Sequence, residues 1–230
     1  VNNVGTIQST VSANTTAGFS VVNWTGSAAT TNETIGHGLG VTPQLVILKN
    51  RDIVDGWFVY HASATTASQY LLLNSTAAVA AATNLWGTGM TSNTVGIRPG
   101  SVSPSSSNKV IMYCFAAVAG YSAFGGFTAN GVSGDGNFIY LGFRPRFILY
   151  KRTDAASSWF IQDTARQNYN VQGPELYPES SAVENTATRL DILSNGFKIR
   201  VTGGSNPNVS GATYIYAAFA ENPFSKALAF

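Results

Sequence analysis

Four carboxylates late in the chain, Glu175, Glu179, Glu184 and Asp191, have the types and spacing for acid–base chemistry. Paired carboxylates cleave glycosidic bonds, one as general acid and the other as base or nucleophile. These four fall in a polar, loop-rich stretch, where a solvated face is the simpler expectation. His37 and His61 have no histidine 102 positions later, where Ile139 and Asp163 stand. Two histidines make a poor metal site. The single cysteine, Cys114, lies in the apolar run 110–115 and is expected to be a buried, inert thiol. The sequence contains no glycine-rich phosphate loop and no serine elbow. No catalytic residues, metal or cofactor are therefore expected, and the chain reads as a non-enzyme.

Sugar recognition asks for other groups: an aromatic face for stacking, with amides and charges for adjacent hydroxyls. Trp86, in Asn84-Leu85-Trp86-Gly87-Thr88-Gly89, and Tyr169, in Arg166-Gln167-Asn168-Tyr169-Asn170, stand in polar, loop-like sequence. Trp86, Arg166, Asn168 and Tyr169 form the expected glycan-binding set, because binding residues concentrate on loops held by a rigid scaffold. Trp57 and Trp159 stand in strand context and are expected in the core. Asp52 and Asp154 each follow a strand and are expected to cap a turn. Asn-x-Ser/Thr triplets at Asn14, Asn23, Asn32, Asn74 and Asn208 have the form of glycan acceptors, but a chain this rich in Asn, Ser and Thr produces them by chance.

The scaffold that positions these residues is written twice. Residues 39–61 read LGVTPQLVILKNRDIVDGWFVYH, and residues 141–163 read LGFRPRFILYKRTDAASSWFIQD. Leu39, Gly40, Pro43, Lys49, Asp52, Trp57 and Phe58 recur 102 positions later, where chance gives about one or two matches. Ser92, Asn93, Ile97 and Arg98 recur at the same offset. Short runs rich in Val, Ile, Tyr, Phe and Trp, set off by turn signals such as Asn130-Gly131 and Asn195-Gly196, predict strands. The expected fold is all-β: two tandem, related antiparallel β-sandwich modules, jelly-roll-like or H-type-lectin-like, with little helix. A linker or N-terminal arm is expected over 1–17, with modules over 18–119 and 120–230. Runs 45–48 and 110–115 are apolar throughout and are expected to be covered on both faces, or on one face by the partner sheet and on the other by a neighbouring subunit. Specificity is expected where the copies differ, at 62–91 and 164–189.

Composition narrows the partners. Charged residues are 10% of the 230 and hydrophobic ones 44%, with a net charge of +2 and no basic run. That gives nucleic-acid binding no electrostatic support. No apolar stretch reaches the roughly 20 residues of a membrane helix, so no membrane insertion is expected. No secretory signal is visible.

An ordered set of motifs carries a resemblance. It runs through Gly18-Phe19-Ser20, Ile35-Gly36-His37-Gly38-Leu39-Gly40, Tyr113-Cys114-Phe115-Ala116 and Gly120-Tyr121-Ser122-Ala123-Phe124-Gly125. It continues through Lys151-Arg152-Thr153-Asp154, Leu193-Ser194-Asn195-Gly196-Phe197 and Tyr214-Ile215-Tyr216-Ala217-Ala218-Phe219. Over nearly all of residues 5–230 the chain resembles the C-terminal region of tail-fibre-type structural proteins of tailed bacteriophages. The resemblance implies a protein on the virion surface, a homotrimer, that contacts other virion proteins and attaches to host cell-surface polysaccharide without catalysis. It assigns no binding residues. A threefold assembly could also bury the apolar strands and the aromatic closing segment 214–230. A head fibre, decoration or spacer protein and a glycan depolymerase are the alternatives.

Overall fold

Alternating burial builds the first sheet. In β2 (Phe19–Thr25) Ser20, Val22 and Trp24 are buried while Phe19, Val21 and Asn23 are half-buried, the two-residue period of a pleated strand. The computed structural model describes residues 1–27, 29–83, 85–98, 102 and 106–223. Asn84 and the 224–230 part of the closing segment therefore lie outside the described residues. The chain is all-β, with antiparallel sheets in a sandwich-like arrangement, and it divides into two compact units.

Unit 1 comprises Val1–Leu73 and Val79–Ala117. Its strands are β1 (Thr10–Asn14), β2, β3 (Glu33–Gly36), β4 (Leu45–Asn50), β5 (Phe58–His61), β6 (Gln69–Leu72), β7 (Ala80–Ala81), β8 (Thr94–Ile97) and β9 (Lys109–Phe115). One sheet has the order β1-β2-β9-β4-β5-β6-β7, and β3 pairs with β8 in a second. Val22, Val46, Leu48 and Met112 from the first sheet share a core with Ile35, Val95 and Ile97 from the second. Cover of the apolar runs on both faces within the chain is corrected: Ile47, Ile111, Tyr113 and Phe115 are only half-buried, because these strands turn one face to the core.

Residues 1–17 are part of unit 1. Strand β1 pairs along β2, and Ile7 and Ser9 are buried. The segment before β1 lies on the free edge of β3. Thr6 and Ile7 N–H donate to Thr34 O at 2.9 and 3.1 Å, and Gly36 N–H donates to Val4 O at 2.9 Å. Gly36 permits this approach, since a Cβ there would meet Val4 O at 2.7 Å. The Thr/Asn-rich composition hides the segment's role, because backbone groups rather than apolar side chains make most of its contacts.

Unit 2 comprises Asn74–Ala78 and the chain from Val118 onward. Its strands are β10 (Ser122–Thr128), β11 (Phe138–Tyr140), β12 (Pro145–Arg152), β13 (Trp159–Asp163), β14 (Gln172–Glu175), β15 (Asn185–Leu193), β16 (Gly196–Ile199) and β17 (Thr213–Ala220). The sheets run β10-β17-β12-β13 and β11-β16-β15-β14. Ile148, Tyr150, Phe160 and Ala218 from one meet Ile139, Leu190, Ile192, Phe197 and Ile199 from the other.

The order β2-β9-β4-β5 recurs as β10-β17-β12-β13. Register recurs too. Ile47 lies between Val59 and Tyr113, and Leu149, 102 residues on, lies between Ile161 and Ala217. Asp52 accepts the Lys109 N–H at 2.6 Å, and Asp154 accepts the Thr213 N–H at 3.1 Å. The recurring aspartates thus cap the start of the closing strand in each unit.

Candidate binding loop of the second unit

The chain between β13 and β14 is polar, yet it is fixed by its own side chains. Asp163 Oδ1 accepts the N–H groups of Ala165 and Arg166, both at 3.0 Å, and closes the first turn. Gln167 Nε2 donates to Tyr169 O and Val171 O at 3.1 and 2.7 Å. Gln172 Nε2 donates to Gln167 O and Tyr169 O at 2.6 and 3.2 Å. Asn170 exchanges two hydrogen bonds with the Ile192 backbone, at 2.9 and 2.8 Å. Three amide side chains therefore hold the loop from within and from β15.

The side chains of Asn168 and Tyr169 stand outside this frame. Tyr169 is 71% exposed. The Asn168 carbonyl accepts Arg144 Nη2 at 3.5 Å, and its side-chain amide makes no hydrogen bond among the described residues. Arg144 and Arg146 are both paired with Glu221, at 2.7 and 3.5 Å. The loop thus carries an exposed ring and an unengaged amide at consecutive positions, both of them groups that can meet a sugar.

Two expected site residues sit differently. Trp86 is corrected: it is fully buried, its Nε1–H donates to Gln69 O at 2.9 Å, and its ring meets Tyr60 edge-on at 5.9 Å. The polar, glycine-rich sequence around it bends the chain so that the indole turns inward, and its ring has no face for a ligand. Arg166 reaches inward as well, to Asp163 and Glu184, both at 2.8 Å. Its guanidinium is thus engaged within the chain. Trp159 is buried as expected, and Trp57 is half-buried.

The carboxylates are mostly engaged. Glu175 is fully buried, bonded to Arg189 twice at 2.9 Å, to Tyr177 Oη at 2.5 Å and to Asn185 Nδ2 at 2.7 Å. The Arg189 guanidinium lies over the Phe160 ring at 5.3 Å. Glu184 pairs with Arg166, and Asp191 with Arg200 at 3.0 Å. Glu179 differs: both its carboxylate oxygens are shielded from solvent and bonded to no group among the described residues.

His37 is buried, with Nε2 at 3.2 Å from Thr91 O and Nδ1 accepting the Leu39 N–H, so one tautomer is fixed. Desolvation holds its pKa below the ordinary value. His61 is buried at the end of β5. Burial pushes the Cys114 thiol up to about 12, which suits an inert group. Asn208 is fully buried and bonded to Val132 O and Val201 O, so it is no acceptor site in the folded chain. Among the described residues no three metal-binding side chains come together. A shallow recess in unit 1, bounded by Ser68, Ala81, Ala82 and Thr83, has no charged group in its lining among the described residues.

The amide frame and the buried Glu175–Arg189 pair were missed by motif reasoning. The amides left a signal, since Gln167, Asn168, Asn170 and Gln172 crowd six positions. The ion pair left none, because its partners are 14 residues apart on neighbouring strands.

A protein-family model described as "Domain of unknown function (DUF7483)" matches residues 1–223. No curated protein and no solved structure matches the chain.

Proposed function

The chain belongs to the DUF7483 family of unknown function, and on its resemblance to tail-fibre-type proteins we propose that it is a phage virion structural protein. In this proposal it is a tail-fibre or receptor-binding module on the particle surface, a homotrimer that attaches to host surface polysaccharide without cleaving it. The observation that carries the binding role is Tyr169, exposed on a loop whose backbone is already fixed. A pre-ordered loop loses little entropy when it binds. Threefold assembly would multiply a weak contact through effective concentration. The arginine pairing of Glu175, Glu184 and Asp191 supports binding over hydrolysis.

The test is binding of the full chain to a panel of purified bacterial surface polysaccharides. Retention on at least one is expected, with soluble polysaccharide competing and no shortening of the polymer. Tyr169→Ala should weaken retention about tenfold and leave the melting temperature in place. Failure to bind any polysaccharide, or binding indifferent to Tyr169→Ala, would overturn the assignment; shortening of the polymer would favour the depolymerase.

A further inference from the structure

The two units treat one edge strand in opposite ways. Strand β3 is equivalent to β11: Ile35 faces Val95 across the pair, and Ile139 faces Phe197, 102 residues beyond Val95. The next bonds also correspond, His37 N–H to Asn93 O and Leu141 N–H to Asn195 O. In unit 1 the outward N–H of Gly36 and C=O of Thr34 are taken by the arm. In unit 2, β11 ends its sheet, and no second strand pairs with it among the described residues. Because Ile139 and Leu141 bond toward β16, the N–H and C=O groups of Phe138 and Tyr140 face outward. The two residues are 46% and 68% exposed. An open edge flanked by exposed aromatics is a template for another strand.

We propose that this edge pairs with the same edge of a second copy of the chain, antiparallel, about a twofold axis through Ile139. This goes beyond the polysaccharide-binding proposal and does not depend on it. In that register Phe138 lies opposite Tyr140 of the second copy, and Tyr140 opposite Phe138 of the second copy. All the outward N–H and C=O groups of both residues are then used, and two cross-strand aromatic pairs form. The arm of a second copy is the weaker occupant for two reasons. Donating it would break as many bonds on β3 as it made on β11. Tyr140 also stands where unit 1 has Gly36, the position at which a Cβ would meet Val4 O at 2.7 Å. An arm laid as in unit 1 has no room there.

Sedimentation of the full chain over a concentration series tests this. The expected result is doubling of the mass of the dilute species, with an apparent dissociation constant of about 10–500 μM for so short an edge. Tyr140→Pro removes an N–H that serves no bond within the sheet, so it should weaken association at least about tenfold and leave the melting temperature within about 2 °C. A mixture of Phe138→Cys and Tyr140→Cys proteins should form the mixed disulfide, since opposed residues sit about 5.5 Å apart. Each variant alone should form little, because its thiols would lie on the diagonal. A single species up to about 1 mM would overturn the proposal. So would equal crosslinking in the single variants. Association lost on deleting residues 1–9, with the melting temperature kept, would assign the edge to the arm instead. If Tyr140→Pro fails to fold, the mixed-disulfide experiment decides.

Discussion

Unit 1 and unit 2 share the order and register of four strands, yet each is secured differently. Unit 1 closes the free edge of β3 with its own N-terminal segment and centres on an apolar core that encloses Trp86. Unit 2 leaves β11 open and contains all the ion pairs named above, including the fully buried Glu175. The recurring lysines show the same divergence. Lys49 is half-buried and donates to Ile53 O at 3.1 Å. Lys151 is fully buried and donates to Thr76 O and Arg152 O at 3.2 and 2.7 Å. The shared residues set the pleat and register, and the unshared ones set what each surface can do.

The comparison is broken most severely at the two buried anchors. Arg189→Ala leaves the Glu175 charge without its partner and should cost about 3–5 kcal/mol in denaturant unfolding. Trp86→Ala should cost a similar amount, about 3–5 kcal/mol, by opening a cavity in unit 1. The distinction lies in repair. The double variant Glu175→Gln/Arg189→Met should recover much of the loss, because an apolar replacement of a buried pair can be near neutral. If Arg189→Ala is mild, unit 2 does not depend on its ionic core.

The pH dependence separates the units next. His37 has a lowered pKa through desolvation, so the unfolded chain takes up protons first as pH falls. Unit 1 stability is full above about pH 6.5 and is lost as pH drops through the lowered value. Lys151 is lowered to about 8, chiefly by desolvation, with Glu179 opposing. Between about pH 8 and the unfolded value near 10.4, the unfolded chain binds the extra proton, so stability should rise with pH. Melting temperatures from pH 5 to 9.5 should show both slopes. His37→Asn should flatten the acid one and Lys151→Met the alkaline one.

The smallest change in stability belongs to the exposed loop. Tyr169→Ala and Asn168→Ala should each shift unfolding by no more than about 0.5 kcal/mol. Gln167→Ala should loosen the frame, and a rise in amide exchange across 168–171 would reveal it.

The sequence made the strands and the doubled framework legible, because period-two burial and recurring residues are local signals. Pro43 with Pro145 and Asp52 with Asp154 already marked equivalent positions. Trp86 misled because glycine and polar neighbours report a turn, and a turn does not reveal which way its ring points. The edge-covering segment was hidden because its contacts are backbone bonds, which composition does not record. The pairing of Glu175 with Arg189 depends on strand neighbours that only the folded sheet brings together. For Tyr169 the sequence indicated a loop, and the structure added the amide side chains that fix it.

Amide hydrogen exchange at the two equivalent edges tests the central contrast most directly. In dilute protein, Gly36, bonded to Val4 O, and Thr34, bonded to Thr6 Oγ1, should be protected. Phe138 and Tyr140 should exchange at close to open-chain rates, slowing as concentration rises. Equal protection of both edges at every dilution would contradict the claim that one unit closes its edge and the other leaves it open.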